Sequence, residues 1–327
     1  MSSGKILHEM RELDDSKAID EGQFESLKSG VNWWKPGVPY FLSADSTPLF
    51  IEAFVKHHMK TGDENALAEL MPNLEAAVGW ILNYGIKDGL LKYDKPHNGE
   101  GLQSQTWKDG VGNLMDSITG PVAVVEVQGY TYYALRLLAP IMAKGGKGQL
   151  ARRMISVSNA LKKRFNEEFW SDEDRFYYLA IDGNGQKIMR KTSNPGQLLY
   201  TGIIDRAHAD IVVEKLFEPD MLTQYGIRTH SALEQDFDEF AYQLGSVWPH
   251  DNWMIARGLN AMGYGKEHNA LRDATLKMYE DLKCCPEYVP ISGDGSLIAL
   301  NDSRLIAPPC IPQAWTVGAV INFMTNR

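Results

Sequence analysis

Apolar residues recur at helical spacing in long blocks of this chain, and the blocks come in pairs that short polar turns separate. The first pair is predicted over residues 46–60 and 64–84, with Gly62 ending its first helix. A chain made of such pairs buries its apolar stripes helix against helix, so the pattern predicts an all-α fold. The other predicted helices span residues 121–143, 149–169, 195–202, 205–216, 246–262, 267–282 and 312–324.

The polar residues indicate how these hairpins are arranged. They cluster at helix starts and in two long connections, 99–120 and 284–311. A solenoid would carry them along a concave face, so the distribution favours an α/α toroid with a site at one end. A small β-hairpin is predicted where residues 175–181 precede the turn sequence Asp182-Gly-Asn-Gly. We interpret residues 1–327 as a single domain.

The composition and charge of the chain limit the kinds of molecule that it is expected to bind. The chain has 33 basic and 42 acidic side chains, a formal net charge of −9, and no run of five basic residues. Such a chain lacks the positive surface that binds nucleic acid or anionic lipid, so neither partner is predicted. Charges interrupt the N-terminal apolar residues, and the three cysteines form no disulfide framework. A cytoplasmic location is therefore predicted.

Two carboxylates stand out by their surroundings. Asp109 lies in a Gly-bounded loop beside Trp107 and Lys108, and loops are where rigid scaffolds display reactive groups. Glu126 interrupts an apolar helix, where an uncompensated carboxylate costs several kcal/mol. The loop is either solvated or functional, and Glu126 has either a structural ion-pair partner or a polar pocket.

A third carboxylate and a helix start complete the candidates. Glu287 follows a predicted helix end, where a loop carboxylate is either solvated or functional. Trp248, His250 and Asp251 open the helix at 246–262, where Ser246 or Asp251 is predicted to cap it. His250 beside Trp248 also suits a hydroxyl-binding corner. Asp205 is predicted to cap the helix at 205–216.

The sequence motifs of several common types of active site are absent from this chain. It contains no HExxH, Walker-type, GxGxxG or GxSxG motif, and no pair of histidines shares a helix face. No metal and no cofactor are therefore predicted. Loop carboxylates, tryptophans, amides and hydroxyls remain, and these are typical of carbohydrate sites.

Nine segments, taken in order along the chain, resemble one family. They are GKILHEMR (4–11), DSTPLF (45–50), TGD with PNLEAAVGWI (61–81), QTWKDG (105–110), GPVAVVEVQGY (120–130), SNPGQLLYTGI (193–203), GIRT (226–229), GSVWPHDN (245–252) and PQAW (312–315). The family is that of the amylo-α-1,6-glucosidase, or glycogen-debranching-like, glycoside hydrolases, whose relatives include glucosylglycerate and mannosylglycerate hydrolases.

The resemblance implies an (α/α)6 toroid that hydrolyses an α-linked sugar with inversion. It assigns Asp109 as the general acid and Glu287 as the general base, with carboxyl groups ~6.5–9.5 Å apart. Lys108 would hold Asp109 or a substrate hydroxyl. The residues that would line the sugar pocket are Trp107, Glu126, Gln128, Tyr130, Arg228, Trp248, His250 and Trp315. The expected substrate is a small α-glucoside or related α-glycoside, or an α-glucan branch.

The sequence also departs from the family pattern. Family members carry a segment upstream of GKILHEMR, so the first barrel helices are expected to be absent, and nine helices are predicted where a toroid needs twelve. The family's His-Asn before Gly-Ser-Val-Trp is Gln243-Leu244, and its Leu-Pro-Glu-Leu is Cys-Pro-Glu-Tyr. The alternative reading is a non-catalytic or incomplete sugar-binding chain. A second copy or a partner chain would then complete the barrel.

Overall fold

The computed structural model describes residues 4–8, 40–95, 102–110 and 117–325. These residues group into two compact units. The first unit contains the described residues up to 109, then 117–165 and 181–186, and the second contains 110, 166–180 and 187–325. Part of the polar connection predicted at 99–120 lies outside the described residues. The interpretation of residues 1–327 as one domain stays a prediction.

The first unit begins with the predicted helical hairpin, made of α1 (Ser46–Thr61) and α2 (Glu64–Trp80). α1 ends at Gly62, whose φ of 66° is left-handed, as predicted for the helix stop. Asp63 caps α2, because its side chain accepts a hydrogen bond from the Ala66 N–H. The helix predicted to residue 84 changes at residue 81 into the π-helical turn Ile81–Gly85.

The rest of the first unit pairs two short strands and adds two long helices. Its elements are β1 (Ile86–Lys87) antiparallel to β2 (Leu90–Leu91), then β3 (Ala123–Val124), α3 (Val125–Lys144) and α4 (Gly148–Glu168). The helix predicted from residue 121 begins at Val125, because the Val122 N–H and C=O both hydrogen-bond to the Tyr93 main chain. α1 packs against both α2 and α3, and buried Ile51, Leu74 and Leu135 belong to these helices.

The described residues of the second unit form short strands and four α-helices. Its elements are β4 (Trp170–Ser171), β5 (Phe176–Tyr177), β6 (Ala180–Ile181, of which residue 181 belongs to the first unit), β7 (Lys187–Ile188), α5 (Arg206–Leu216), β8 (Leu222–Thr223), β9 (Gly226–Ile227), α6 (Pro249–Met262), α7 (Gly265–Leu282) and α8 (Ala314–Thr325). β4 pairs with β5 and β8 with β9, both antiparallel. The described chain is thus mostly helical, and its strands are two residues long.

The hairpin turn predicted after residue 181 is present. The Asp182 N–H donates to the Gln186 carbonyl at 3.0 Å. The Asp182 carboxylate accepts from the main-chain N–H groups of Asn184 and Gln186, both at 2.8 Å. An aspartate at this position therefore stabilises the turn with its own side chain.

Predictions for three further helices are wrong. α6 begins at Pro249, and its N-cap Trp248 is extended with no side-chain cap, so neither Ser246 nor Asp251 caps it. The reason is that Val247 is used in main-chain pairing with Val289. The helix predicted at 195–202 is the short 3-10 helix Asn194–Leu198. The side chain of Asp205 makes no cap hydrogen bond to α5.

Helix α6 is the centre of packing in the second unit. It contacts α7, α8 and the 3-10 helix. At Gly258 a Cβ atom would stand 2.5 Å from the Leu199 Cβ and 2.7 Å from the Tyr200 nitrogen. A glycine is therefore needed for α6 to approach the segment that follows the 3-10 helix.

Candidate functional site

The loop that carries Asp109 is held by hydrogen bonds of its own and by the start of α1. The Ser104 hydroxyl donates to the Lys108 carbonyl at 2.8 Å. The main-chain N–H of Trp107 donates to the carboxylate of Asp45. The loop conformation is thus fixed on both sides of the tryptophan, and the predicted residues Trp107, Lys108 and Asp109 lie next to each other at its end.

Asp109 is partly open to solvent and has a histidine close to its carboxylate. The side chain of Asp109 is 26% exposed, and its Oδ2 lies 3.6 Å from the Nε2 of His8, itself 24% exposed. Lys108 is buried. We call His8, Asp45, Trp107, Lys108 and Asp109 the Asp109 cluster, which lies within the first unit.

Asp45 is the buried acid of this cluster. It stands directly before α1, and burial raises the pKa of its carboxyl group above the ordinary value. Hydrogen bonds from the Ser43 hydroxyl and the Trp107 N–H, and the nearby His8, act in the opposite direction and favour the charged form. Asp45 therefore links the start of α1, the Trp107 loop and His8.

The remaining predicted residues of the first unit lie on α3. Glu126 is completely buried in the first turn of α3, where the positive end of the helix dipole favours a carboxylate. The Gln128 side chain accepts from the Leu91 N–H at 2.8 Å and donates to the carbonyls of Leu91 and Val124 at 2.8 and 3.0 Å. Gln128 therefore holds β2 against α3. Tyr130, one turn after Glu126 on the same helix, is buried.

In the second unit, Glu287 is a buried carboxylate that accepts three hydrogen bonds. The Tyr242 hydroxyl donates to its Oε1 at 2.7 Å, and the Gln313 Nε2 donates to the same oxygen at 3.3 Å. The Cys310 N–H donates to its Oε2 at 3.2 Å, while the Glu287 N–H donates to the Cys310 carbonyl at 2.9 Å. Only 6% of Glu287 is exposed, so its position is closely defined.

Aromatic rings surround this carboxylate. Trp248 is stacked on Tyr288 at 5.5 Å between centroids and meets the edge of Tyr242 at 4.9 Å. The ring of His250 lies 4.9 Å from that of Trp315, which is 43% exposed. Burial lowers the pKa of His250 to about 3, so its imidazole is neutral at physiological pH. We call Tyr242, Trp248, His250, Glu287, Tyr288, Gln313 and Trp315 the Glu287 cluster.

Arg228 is buried, and its side chain is hydrogen-bonded to the main chain. Its guanidinium donates to four main-chain carbonyls, the closest being that of Ser292 at 2.7 Å, and it lies over the ring of Phe237 at 5.6 Å. Burial lowers the pKa of this guanidinium below its ordinary value. The observed contacts of Arg228 therefore fix the main chain at residues 291–293.

The structure brings the predicted residues together within each unit. Trp107, Lys108 and Asp109 share one loop, and Trp248, His250, Glu287 and Trp315 share one cluster. The sequence analysis missed Tyr242 and Gln313 as partners of Glu287, and His8 and Asp45 as neighbours of Asp109. Gln313 lies in the PQAW segment, and Asp45 and His8 lie in the segments DSTPLF and GKILHEMR, so the resemblance had marked their neighbourhoods without giving them roles.

Neither a group of metal-ligand side chains nor a membrane-spanning helix is present among the described residues. Within them, no group of three or more His, Cys, Asp or Glu side chains is arranged to hold a metal ion. No helix among the same residues is long and apolar enough to cross a bilayer.

The chain matches a family model over residues 2–297, that of the mannosylglycerate hydrolase MGH1-like glycoside hydrolase domain. Mannosylglycerate hydrolase from Rubrobacter radiotolerans is 24% identical over 159 residues, which cover 45% of this chain and 36% of the relative. Mannosylglycerate hydrolase from Thermus thermophilus is 25% identical over 129 residues, which cover 39% of this chain and 31% of the relative. The matches thus span about a third of the length of these relatives.

Solved structures with a similar fold include two glycosidases. A glycoside hydrolase family 63 mannosylglycerate hydrolase from Thermus thermophilus, in complex with Tris, has a TM-score of 0.65 and 17% identity, covering 87% of this chain and 78% of the other. A rhamnosidase of glycoside hydrolase family 78 from Bacillus has a TM-score of 0.58 and 15% identity, covering 87% of this chain and 26% of the other. These likenesses show a helix-rich glycosidase fold.

Proposed function

Because the chain belongs to the mannosylglycerate hydrolase MGH1-like family of glycoside hydrolases, we propose that it hydrolyses a small α-glycoside with inversion. Asp109 is the general acid and Glu287 is the general base in this proposal, and the fold is an α/α toroid. The observation that carries it is the buried Glu287 carboxylate, fixed by three hydrogen-bond donors beneath an aromatic cluster.

Glu287 suits the role of the base because its partners are all donors. An ionised carboxylate only accepts hydrogen bonds, so donors from Tyr242, Gln313 and the Cys310 main chain match the charged form. When an ionised carboxylate cannot rotate, a lone pair on one of its oxygens stays directed at a fixed position in the site. A water at that point is activated for attack on the anomeric carbon.

Asp109 suits the role of the acid because it ends a rigid loop and reaches solvent. The acid must deliver a proton to the leaving oxygen and regain one before the next turnover. A side chain on a loop anchored through Trp107 meets the first need, because it delivers the proton from a fixed position. Lys108 on the same loop is proposed to orient Asp109 or a sugar hydroxyl.

The sugar ring is proposed to lie against aromatic side chains, with polar groups on its hydroxyls. Gln128 and Arg228 contribute in this proposal by fixing main chain, since their side chains are occupied there. The residues proposed to contact or frame the sugar are Trp107, Lys108, Glu126, Gln128, Tyr130, Arg228, Trp248, His250 and Trp315.

The substrate class follows from the relatives. Both curated relatives are called mannosylglycerate hydrolases, so a glycoside of a small hydroxy acid is the first substrate to test. The sugar is α-linked mannose or glucose in this proposal. An α-glucan branch is the alternative substrate, and a chain that binds sugar without turnover is the alternative function.

The test compares purified chain on mannosylglycerate, glucosylglycerate and an α-1,6-linked glucan, with proton NMR of the first sugar released. Inversion predicts that the β-anomer appears first from an α-glycoside. Asp109→Asn and Glu287→Gln are each expected to lower kcat by about 10²–10⁴-fold with unchanged thermal unfolding.

The matched controls are Asp273→Asn and Glu280→Gln, which change exposed acids on α7 by the same chemistry. They are expected to keep full activity. Full activity in either the Asp109 or the Glu287 variant would remove the assigned role from that residue. Sugar binding by calorimetry with no hydrolysis of any substrate would favour the non-catalytic alternative.

A further inference from the structure

Residues 4–8 are held firmly against the first unit. Gly4 has a left-handed φ of 80°, and a Cβ atom there would come within 1.9 Å of the Ala76 carbonyl oxygen. The Ile6 N–H donates to the Thr47 hydroxyl at 3.0 Å, and the His8 N–H donates to the Tyr40 carbonyl at 2.6 Å. The His8 side chain therefore projects from a main chain that is fixed at α1 and α2.

The imidazole of His8 lies close to the carboxylate of Asp109. Its Nε2 is 3.6 Å from the Asp109 Oδ2, and its ring meets the edge of the Tyr40 ring at 5.9 Å between centroids. The buried Asp45 interacts electrostatically with His8 as well.

The described residues of these two segments also include two lysines. Lys5 shares the segment with His8 and interacts with Asp45 and Asp94, and its ammonium lies 5.3 Å from the centroid of the Trp80 ring. Lys108 belongs to the Asp109 loop itself. Lys5 lies over the Trp80 ring, whereas the His8 imidazole lies against the Oδ2 of Asp109, and imidazole exchanges protons near neutral pH.

A general acid that has given up its proton must be reprotonated in every turnover, and this inference rests on the role of Asp109 proposed above. We infer that His8 is the residue that reprotonates Asp109. In this step the Nε2–H bond of His8 breaks, an O–H bond forms on Asp109 Oδ2, and a proton from solvent, equal to the one that Glu287 takes from the attacking water and then releases, restores the imidazolium.

The geometry is suited to this transfer. The 3.6 Å between Nε2 and Oδ2 is just outside hydrogen-bond length and closes with a small rotation of the Asp109 side chain. Because His8 is 24% exposed, solvent can recharge it. His8 is thus a positioning residue that acts through Asp109.

The test is His8→Gln, which keeps a nitrogen near the Nε2 position but cannot carry a proton near neutral pH. On mannosylglycerate, steady-state kcat is expected to fall at least tenfold, while KM stays within twofold. The first turnover is expected to keep its rate, because Asp109 is already protonated, so rapid mixing shows a burst of product. Added imidazole is expected to restore kcat.

His57→Gln, on the exposed face of α1, is the matched control and is expected to behave as the unaltered protein. The α-mannosyl fluoride substrate needs little protonation of its leaving group, so His8→Gln and Asp109→Asn should both retain activity on it. Unchanged kcat in His8→Gln, or a uniform loss that imidazole does not restore, would overturn the inference. Full activity of Asp109→Asn on mannosylglycerate would overturn the proposed function and this inference together.

Discussion

The two proposed catalytic carboxyl groups stand in opposite surroundings. Glu287 is 6% exposed and accepts hydrogen bonds from a tyrosine, a glutamine and a main-chain N–H. Asp109 is 26% exposed at the end of a polar loop, with the imidazole of His8 at 3.6 Å. The aromatic rings of the Glu287 cluster have no counterpart of the same density around Asp109 among the described residues.

The difference corresponds to the two proposed roles, that of a general base and that of a general acid. A base that orients water gains from rigidity and from donors that keep it charged. An acid gains from contact with a group that exchanges protons with solvent. In the proposed roles the base is the more buried carboxylate and the acid is the more exposed one, and each variant below tests one side of this contrast.

Trp248→Ala should have the largest effect, because it removes the centre of the Glu287 cluster. Trp248 is 1% exposed, stacks on Tyr288 and donates through its Nε1 to the Tyr242 carbonyl at 3.2 Å. We expect a loss of about 3–5 kcal/mol in the free energy of unfolding, measured in urea. We also expect weaker sugar binding.

Trp315→Ala is the control from the same cluster, since this ring is 43% exposed. Its unfolding free energy is expected to change by less than about 1 kcal/mol. Equal losses in the two variants would mean that burial does not distinguish the rings of the cluster. Unchanged sugar affinity in Trp248→Ala would restrict that residue to a packing role.

Much of the helical framework could be predicted from the sequence, because its signals are local. The Thr-Gly-Asp turn between α1 and α2 specifies both a helix stop and a cap, and Gly62 and Asp63 perform these functions. The start of α6 was mispredicted because Val247 pairs with Val289, a contact between residues far apart in sequence. Two-residue strands are too short to show any periodicity.

The candidate site was predictable in its residue types and less so in its contacts. The resemblance marked Asp109 and Glu287, and their roles stay proposals. The hydrogen bond from Tyr242 to Glu287 joins residues 45 positions apart, and no local sequence pattern predicts it. The Cys-Pro-Glu-Tyr segment was noted as a departure from the family, and its Tyr288 turns out to stack on Trp248.

Lys5→Met sharpens the comparison on the Asp109 side. Burial lowers the pKa of Lys5 to about 8 from 10.5, so the folded protein holds this ammonium at a cost in free energy. Each pKa unit corresponds to about 1.4 kcal/mol, and we expect the variant to gain about 1–3 kcal/mol of stability at pH 7. Methionine retains the packing against Trp80.

The pH dependence of this gain has a definite sign. Below pH 8 both folded and unfolded forms carry the charged lysine, so the cost and the gain are full. Between pH 8 and 10.5 the folded protein releases the proton while the unfolded chain keeps it, and the gain declines toward zero. Lys60→Met, at an exposed position, should show no such decline. A pH-independent gain would contradict the burial of Lys5.

Tyr242→Phe tests the donors of Glu287 with the smallest expected effect. The change removes the 2.7 Å hydrogen bond to the Oε1 of Glu287 and retains the ring that packs at 4.9 Å against Trp248. Because Gln313 and the Cys310 N–H still hold the carboxylate, we expect kcat to fall about tenfold, or about 1.4 kcal/mol, with little change in KM.

Tyr264→Phe is the control for this variant, since the Tyr264 hydroxyl donates to the carboxylate of Asp210 at the protein surface. It removes the same kind of bond away from Glu287 and should leave kcat unchanged. If Tyr242→Phe lowers kcat while its thermal unfolding matches that of Tyr264→Phe, the hydrogen bond acts on the base and not on the fold. A change in KM alone would instead assign the Tyr242 hydroxyl to the substrate, and the rigidity of Glu287 would then depend on its other two donors.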